Sequence, residues 1–225
     1  MNTLTFPDVQ KFLERINPFN ELARNSLEEL ARAAHPKSFK KGEAVYNEGD
    51  AADSVWILHT GRIQVYKYTS DSKPLAIESL GPGELFGTLC RLGGEGRAYP
   101  CTAVASGPAL ALQIPDHVFL KHYNESPGLV RGMCSLCSQR LKDVQNLRCT
   151  GQEPVPFRLA STLLRLKEVH GLTLPFTKRE VSELIGATLE TTFRALADFQ
   201  KKGYLSSLRG KILLIKPEAL KSLLL

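Results

Sequence analysis

Between Phe176 and Gly203 the chain reads FTKREVSELIGATLETTFRALADFQKKG, and this stretch constrains the fold more than any other. Thr177 with Glu180 three residues later forms a capping box that opens a helix running to about Ile185. Gly186 breaks that helix at a tight turn. Thr188 is placed to N-cap a second helix running to about Lys202, with Gly203 as its stop. Val181, Ile185, Ala187, Thr192 and Leu196 supply the small and apolar contacts that lock two such helices together. The following YLSSLRGKILLI reads as a hairpin around Arg209-Gly210. Helix, turn, helix and hairpin in this order predict a winged helix-turn-helix.

Charge points the same way. Of the net +6, residues 150–225 carry 12 Lys/Arg against 7 Asp/Glu, a net of +5, while residues 1–149 carry 17 against 16. A basic end on a near-neutral body suits a polyanion such as double-stranded DNA, the alternative on charge alone being a merely soluble basic surface. The N-terminal end of the second helix is the end that enters a major groove, and it presents Thr188, Leu189, Glu190, Thr191 and Arg194. Glu190 and Arg194 stand four apart and share a face. Arg donates bidentately to guanine, and Glu accepts from cytosine N4. Thr188, Thr191, Lys178 and Arg179 are candidates for phosphate contacts, which position without specifying. The alternative for Glu190 and Arg194 is an ordinary exposed ion pair.

Upstream the period changes. Residues 8–35 read as short helices, with Ser26 as an N-cap and Glu29 three positions on. From Phe39 to Ile114, short apolar runs alternate with Gly, Pro, Asp and Ser, and turns fall at Gly49-Asp50 and Gly61. Such runs predict a sandwich or small barrel. His117 to Arg148 returns to helical spacing, with Pro127 in a first turn. Val130, Met133, Cys137, Leu141, Val144 and Leu147 form one stripe, as a dimer seam needs. The alternative is a helix packed on its own barrel. CTGQEPVP, residues 149–156, reads as a hinge.

The start of the chain lacks a secretory pattern, and no run approaches the ~18 apolar residues of a membrane span. Five cysteines, an odd count, fit a reducing cytoplasm. No P-loop, zincin, G-x-S-x-G or dinucleotide fingerprint occurs, so an enzyme is not expected.

Four segments in order carry a resemblance to the Crp/Fnr family of bacterial transcription regulators. FKKGEAVYNEGDAADSVWILHTGRIQVYK, with Gly42, Gly49 and Gly61, resembles the family's opening strands. GPGELFGTLCRL and GRAYPCTAVA resemble the phosphate-binding cassette of cyclic-nucleotide barrels. SPGLVRGMCSLCSQRL resembles the start of the dimer helix, and ATLETTFRALADFQKKGYL the recognition helix and wing entry. The resemblance implies an α+β chain. A double-stranded β-helix (jelly-roll) sensor domain with N-terminal helices spans 1–122, a dimerisation helix 123–148, a hinge 149–156 and a winged helix-turn-helix 157–225. It implies a homodimer on a two-fold symmetric operator, with RNA polymerase as a partner and no membrane.

By the same resemblance, Glu190 and Arg194 fall on the base-reading positions. Leu189 stands where cyclic-AMP-responsive members carry Arg, a departure that looks like the fumarate–nitrate branch with its TGA half-site core. The effector site falls on Gly87, Thr88, Leu89, Arg97 and Ala98, with Arg140 and Val144 from the seam helix. Arg97 matches the residue that holds the cyclic phosphate. Thr88 replaces the Glu that binds the ribose, Ala98 a hydroxyl residue and Val144 the Thr that reads adenine. Cyclic AMP is therefore not the expected effector. Haem ligated by His59, Cys90, Cys101, His117 or His122 is a second reading. Redox chemistry at Cys134 and Cys137 is a third, against the alternative of small residues in a dimer interface, and effector-free action is a fourth. No cysteine precedes Cys90, which argues against an N-terminal iron–sulfur cluster. From another class, a nucleotide-binding module acting on a protein partner is the rival reading.

Overall fold

A computed structural model describes residues 4–68, 74–87 and 98–224, and of 146–150 the backbone alone. Two short helices open the chain, α1 (Phe6–Leu13) and α2 (Arg24–Ala33). Among the described residues eight strands follow: β1 (His35–Phe39), β2 (Ala44–Tyr46), β3 (Ser54–Thr60), β4 (Ile63–Tyr68), β5 (Pro74–Leu80), β6 (Leu85–Phe86), β7 (Thr102–Ala105) and β8 (Ala109–Pro115). They form two four-stranded sheets, ordered β1-β8-β3-β6 and β2-β7-β4-β5. Two facing sheets with crossing connections make the jelly-roll that the short apolar runs predict.

The strand β3 shows why its sequence, SVWILHT, is apolar without a break. Val55 and Ile57 face the helical layer, in a core with Leu13, Leu30 and Phe119. Trp56 and Leu58 face the other way, between the sheets, with Ile63, Phe86 and Ala103. A strand covered on both faces loses the alternation of a half-exposed one. Gly61, next in line, holds φ +90, and an added Cβ would lie 2.5 Å from the Pro108 carbonyl oxygen. Both the backbone angle and the close approach demand glycine.

Helix α3 (Asp116–Glu125) leads into α4 (Pro127–Thr150), and Pro127 does open that helix. Then come α5 (Val155–His170), β9 (Thr173–Leu174), α6 (Lys178–Leu184), α7 (Leu189–Lys201), β10 (Leu205–Leu208), β11 (Lys211–Leu214) and α8 (Pro217–Lys221). The chain divides into two compact units, residues 1–67 with 78–142 and residues 68–77 with 143–225.

Three expectations need correction. Ser26 is not a cap: α2 begins at Arg24 after Ala23, which makes no side-chain cap bond. The serine sits inside the first turn, and Glu29 instead accepts from Lys121 at 2.8 Å. The hinge is shorter than 149–156, because α4 runs to Thr150 and α5 starts at Val155. Pro154 and Pro156 suit the start of a helix rather than a flexible link. Met133 does not belong to an outward seam. It is 2% exposed and lies with Leu129 in the core of its own unit, with Leu136 packed alongside.

Candidate nucleic-acid interface

The helix-turn-helix is built by side chains that satisfy its ends. Thr177 accepts from the Glu180 backbone N–H at 3.2 Å, and the Glu180 carboxylate accepts from the Thr177 N–H at 2.7 Å. This reciprocal box fixes where α6 starts. Its other end closes at Ile185. Gly186 turns the chain at φ +60, and the Ala187 N–H reaches back to the Ser182 carbonyl at 3.0 Å. Thr188 then caps α7, accepting from the Thr191 N–H at 3.2 Å. Val181, Ile185, Thr192 and Leu196 are buried in this unit, as a locked helix pair requires. Ala187 is only half-buried.

One residue of this assembly escaped the sequence reading. Arg158, on α5, donates from Nη1 to the Ile185 carbonyl at 2.7 Å and to the Gly186 carbonyl at 3.2 Å. The turn carbonyls lack helical partners, and a guanidinium answers them from a distant part of the chain. No local pattern announces such a contact.

With its inner face so fixed, α7 turns Leu189, Glu190, Thr191, Phe193 and Arg194 outward. Glu190 and Arg194 are paired at 3.0 Å, and their side chains are 83% and 78% exposed. Thr191 shares its hydroxyl with Thr188 at 2.8 Å. Leu189 and Phe193 are exposed apolar residues on the same turns. Phe193 was missed by the sequence reading, which had no reason to expect an aromatic ring on a polar face. The Lys178 ammonium lies 4.9 Å from its ring centroid. Arg179 pairs with Glu183 at 3.1 Å and stays exposed. The wing is the hairpin β10–β11, paired from Leu205–Leu214 to Leu208–Lys211, with β9 on the far edge of β11. Gln200, on α7, accepts from the Ser207 N–H at 3.1 Å and ties the wing to the helix.

The candidate effector residues are placed less completely. Thr88, Leu89, Arg97 and Cys90 lie outside the described residues, as does the Leu147 side chain. Gly87 abuts an aromatic cluster: an added Cβ would stand 3.0 Å from Tyr99 and 3.2 Å from Trp56. Tyr46 and Tyr99 stack at 3.7 Å, and Tyr99 donates from its hydroxyl to the Ser54 carbonyl at 2.8 Å. Ala98 bridges to Ala51. Arg140 is engaged within its own unit. It pairs with Glu78 at 2.8 Å and donates to the Leu85 carbonyl. Val144 is 59% exposed on α4.

The histidines proposed for haem are dispersed. His59 packs on Phe12 at 4.4 Å, His117 is exposed, and His122 Nε2 lies 3.3 Å from a Glu29 oxygen. Cys101 packs beside the core between the sheets. Among the described residues of one chain, no cluster of three or more metal-ligating side chains occurs. No described helix is long and apolar enough to cross a membrane.

A jelly-roll domain followed by a winged helix-turn-helix with an outward, polar recognition helix defines a DNA-binding transcription regulator. Comparison with known proteins agrees along most of the chain. Residues 36–126 match the cyclic nucleotide-binding domain and residues 157–223 the Crp-like helix-turn-helix domain. The chain belongs to the Crp/Fnr family of transcription regulators. It is 26% identical over 217 residues to the CRP-like cAMP-activated global transcriptional regulator of Mycobacterium tuberculosis, covering 92% of this chain and 95% of that one. It is 25% identical over 205 residues to the nitrogen fixation regulation protein FixK of Bradyrhizobium diazoefficiens, covering 87% and 83%. Among solved structures, FixK2 from Bradyrhizobium japonicum shares the fold, with a TM-score of 0.76 at 22% identity, over 84% of this chain and 96% of that one.

Proposed function

We propose that the protein acts in the cytoplasm as a homodimer on a two-fold symmetric DNA operator, by binding rather than catalysis, and that RNA polymerase is its partner there. Glu190 and Arg194 read bases, while Thr188, Thr191, Lys178 and Arg179 contact phosphates. Residues 1–122 sense, α4 (Pro127–Thr150), which starts later than the 123 expected for the dimerisation helix, joins the two copies, and residues 157–225 bind DNA. The observation that carries this reading is the Glu190–Arg194 pair, about four-fifths exposed at the first turns of a helix whose opposite face is fully buried. In free protein the two charges satisfy one another. In a groove, Arg194 turns to guanine and Glu190 to cytosine.

The effector reading is narrower. The sensing region lies near Gly87 and the start of the Ala98 strand bridge. The absence of hydroxyl-bearing side chains at Ala98 and Val144 supports an effector other than cyclic AMP.

Selection of duplexes from a random pool tests the DNA reading. Enriched sequences are expected to be palindromes with TGA-like half-sites about one helical turn apart. Glu190→Ala and Arg194→Ala are each expected to weaken the selected site by about 1–3 kcal/mol, roughly 5- to 150-fold, and to relax the preference at one base pair. Wild-type affinity and unchanged preference in both variants would overturn the assignment.

A further inference from the structure

The outward face of α4 carries sulfur as well as hydrocarbon. Val130, Cys134, Cys137, Leu141 and Val144 alternate spacings of four and three, the a/d repeat of a two-stranded coiled coil. The residues packed on the chain's own core, Leu129, Met133 and Leu136, each sit one position earlier, on a different face. Leu141 and Val144 are each 59% exposed, Cys134 is exposed and Cys137 partly so, and neither cysteine is in a disulfide.

This arrangement gains meaning on the reading of α4 as the seam between two copies. In a parallel pair of helices, Cys134 occupies one layer and Cys137 the next, so two chains bring four thiols to adjacent layers of one seam. We propose that Cys134 and Cys137 of two copies form a single tetrathiolate site for a thiophilic, tetrahedral divalent metal ion of the zinc class.

Geometry favours a metal over a bond between the two sulfurs of one chain. Residues three apart on a helix have Cβ atoms about 5–6 Å apart. A disulfide needs roughly 3.5–4.5 Å. Thiolates around zinc sit about 2.3 Å from the metal, so their sulfurs stay about 3.8 Å apart and tolerate the wider Cβ spacing. The chemistry balances without an added oxidant. Four thiols release four protons, one divalent ion forms four metal–sulfur bonds, and the centre carries two negative charges. A disulfide between chains would instead require a two-electron oxidant. Occupancy would clamp the two α4 helices and so couple metal supply to the geometry of the paired DNA-binding units.

The test uses the full-length chain, reduced and stripped with a chelator, and Co2+ as the probe. Sedimentation first establishes whether the stripped chain is a dimer. Addition of Co2+ is expected to give thiolate-to-cobalt absorption and intense tetrahedral d–d bands, saturating at about one ion per two chains and bleached by Zn2+. Cys134→Ser and Cys137→Ser should each abolish the tetrathiolate spectrum while the far-ultraviolet dichroism is kept. The pair Leu141→Glu with Val144→Glu, which retains both cysteines, should lose it by separating the chains. A dimer without these bands overturns the metal site and leaves the seam standing. Bands at one ion per chain that persist in the Leu141/Val144 variant also overturn it. A wild-type chain that stays monomeric with and without Co2+ overturns both the site and the seam.

Discussion

Glu190 and Arg194 show how a surface pair is placed rather than merely present. An exposed ion pair four residues apart is worth little to stability, of order 0.3–0.5 kcal/mol. Losing it should therefore leave unfolding by urea within about 0.5 kcal/mol of wild type while DNA recognition falls. Arg158 is the opposite case. Arg158→Ala removes both hydrogen bonds to the turn carbonyls and is expected to cost about 1–3 kcal/mol in the urea unfolding of the full chain. DNA affinity should fall too, since the turn sets the angle at which α7 is offered. His59 adds a dependence on pH. Burial against Phe12 lowers its pKa below the ordinary 6.5, with the Asp8 charge opposing. As pH falls through about 6.5 the unfolded chain takes up a proton that the folded chain resists, so stability declines until the folded form also titrates. The thermal midpoint of His59→Phe should be less sensitive to pH than that of wild type between about pH 7 and 5.5.

At the scale of elements, the turn and the seam helix carry the next expectations. Gly186 holds φ +60, and an added Cβ would meet only Arg158 Nη1, at 3.7 Å. The cost of Gly186→Ala is therefore conformational, about 1–2 kcal/mol by urea unfolding, and Gly186→Asn should cost less. Helix α4 has two apolar faces, one inside its own unit and one outward. Leu141 and Val144 are each 59% exposed, and Leu141→Glu with Val144→Glu leaves the inward residues Leu129, Met133 and Leu136 unchanged. This variant should sediment as a monomer and lose most operator affinity while keeping its helical content. Both faces are visible as apolar residues in the sequence, but they lie one position apart, and periodicity alone does not tell which meets the chain's own sheets. That is why periodicity puts Met133 in the outward stripe while the fold turns it inward.

For the molecule as a whole, the uneven charge governs how it meets DNA. With nearly all of the +6 beyond residue 150, binding should weaken steeply with salt, and each lost phosphate contact should lower the logarithmic slope by about one. Lys178→Ala is expected to reduce that slope and weaken all duplexes alike, whereas Arg194→Ala should discriminate among them. The features legible in the amino-acid order are local ones. The Thr177–Glu180 box, the Gly186 turn, the Thr188 cap and the hairpin at Arg209-Gly210 each depend on neighbours a few residues apart. The two-sheet domain was legible as a class, through the rhythm of short apolar runs. What only the tertiary structure decided are the choices that join distant residues. These include Arg158 at the turn, Arg140 drawn to Glu78 and the Leu85 carbonyl, and Met133 turned inward. Glu29 is likewise taken by Lys121 instead of closing a cap. Caps, turns and periods are set by short-range sterics and hydrogen bonding, which the sequence itself encodes. Which of two available faces or partners is used depends on what the folded chain brings within reach, and there the larger gain in burial or pairing prevails.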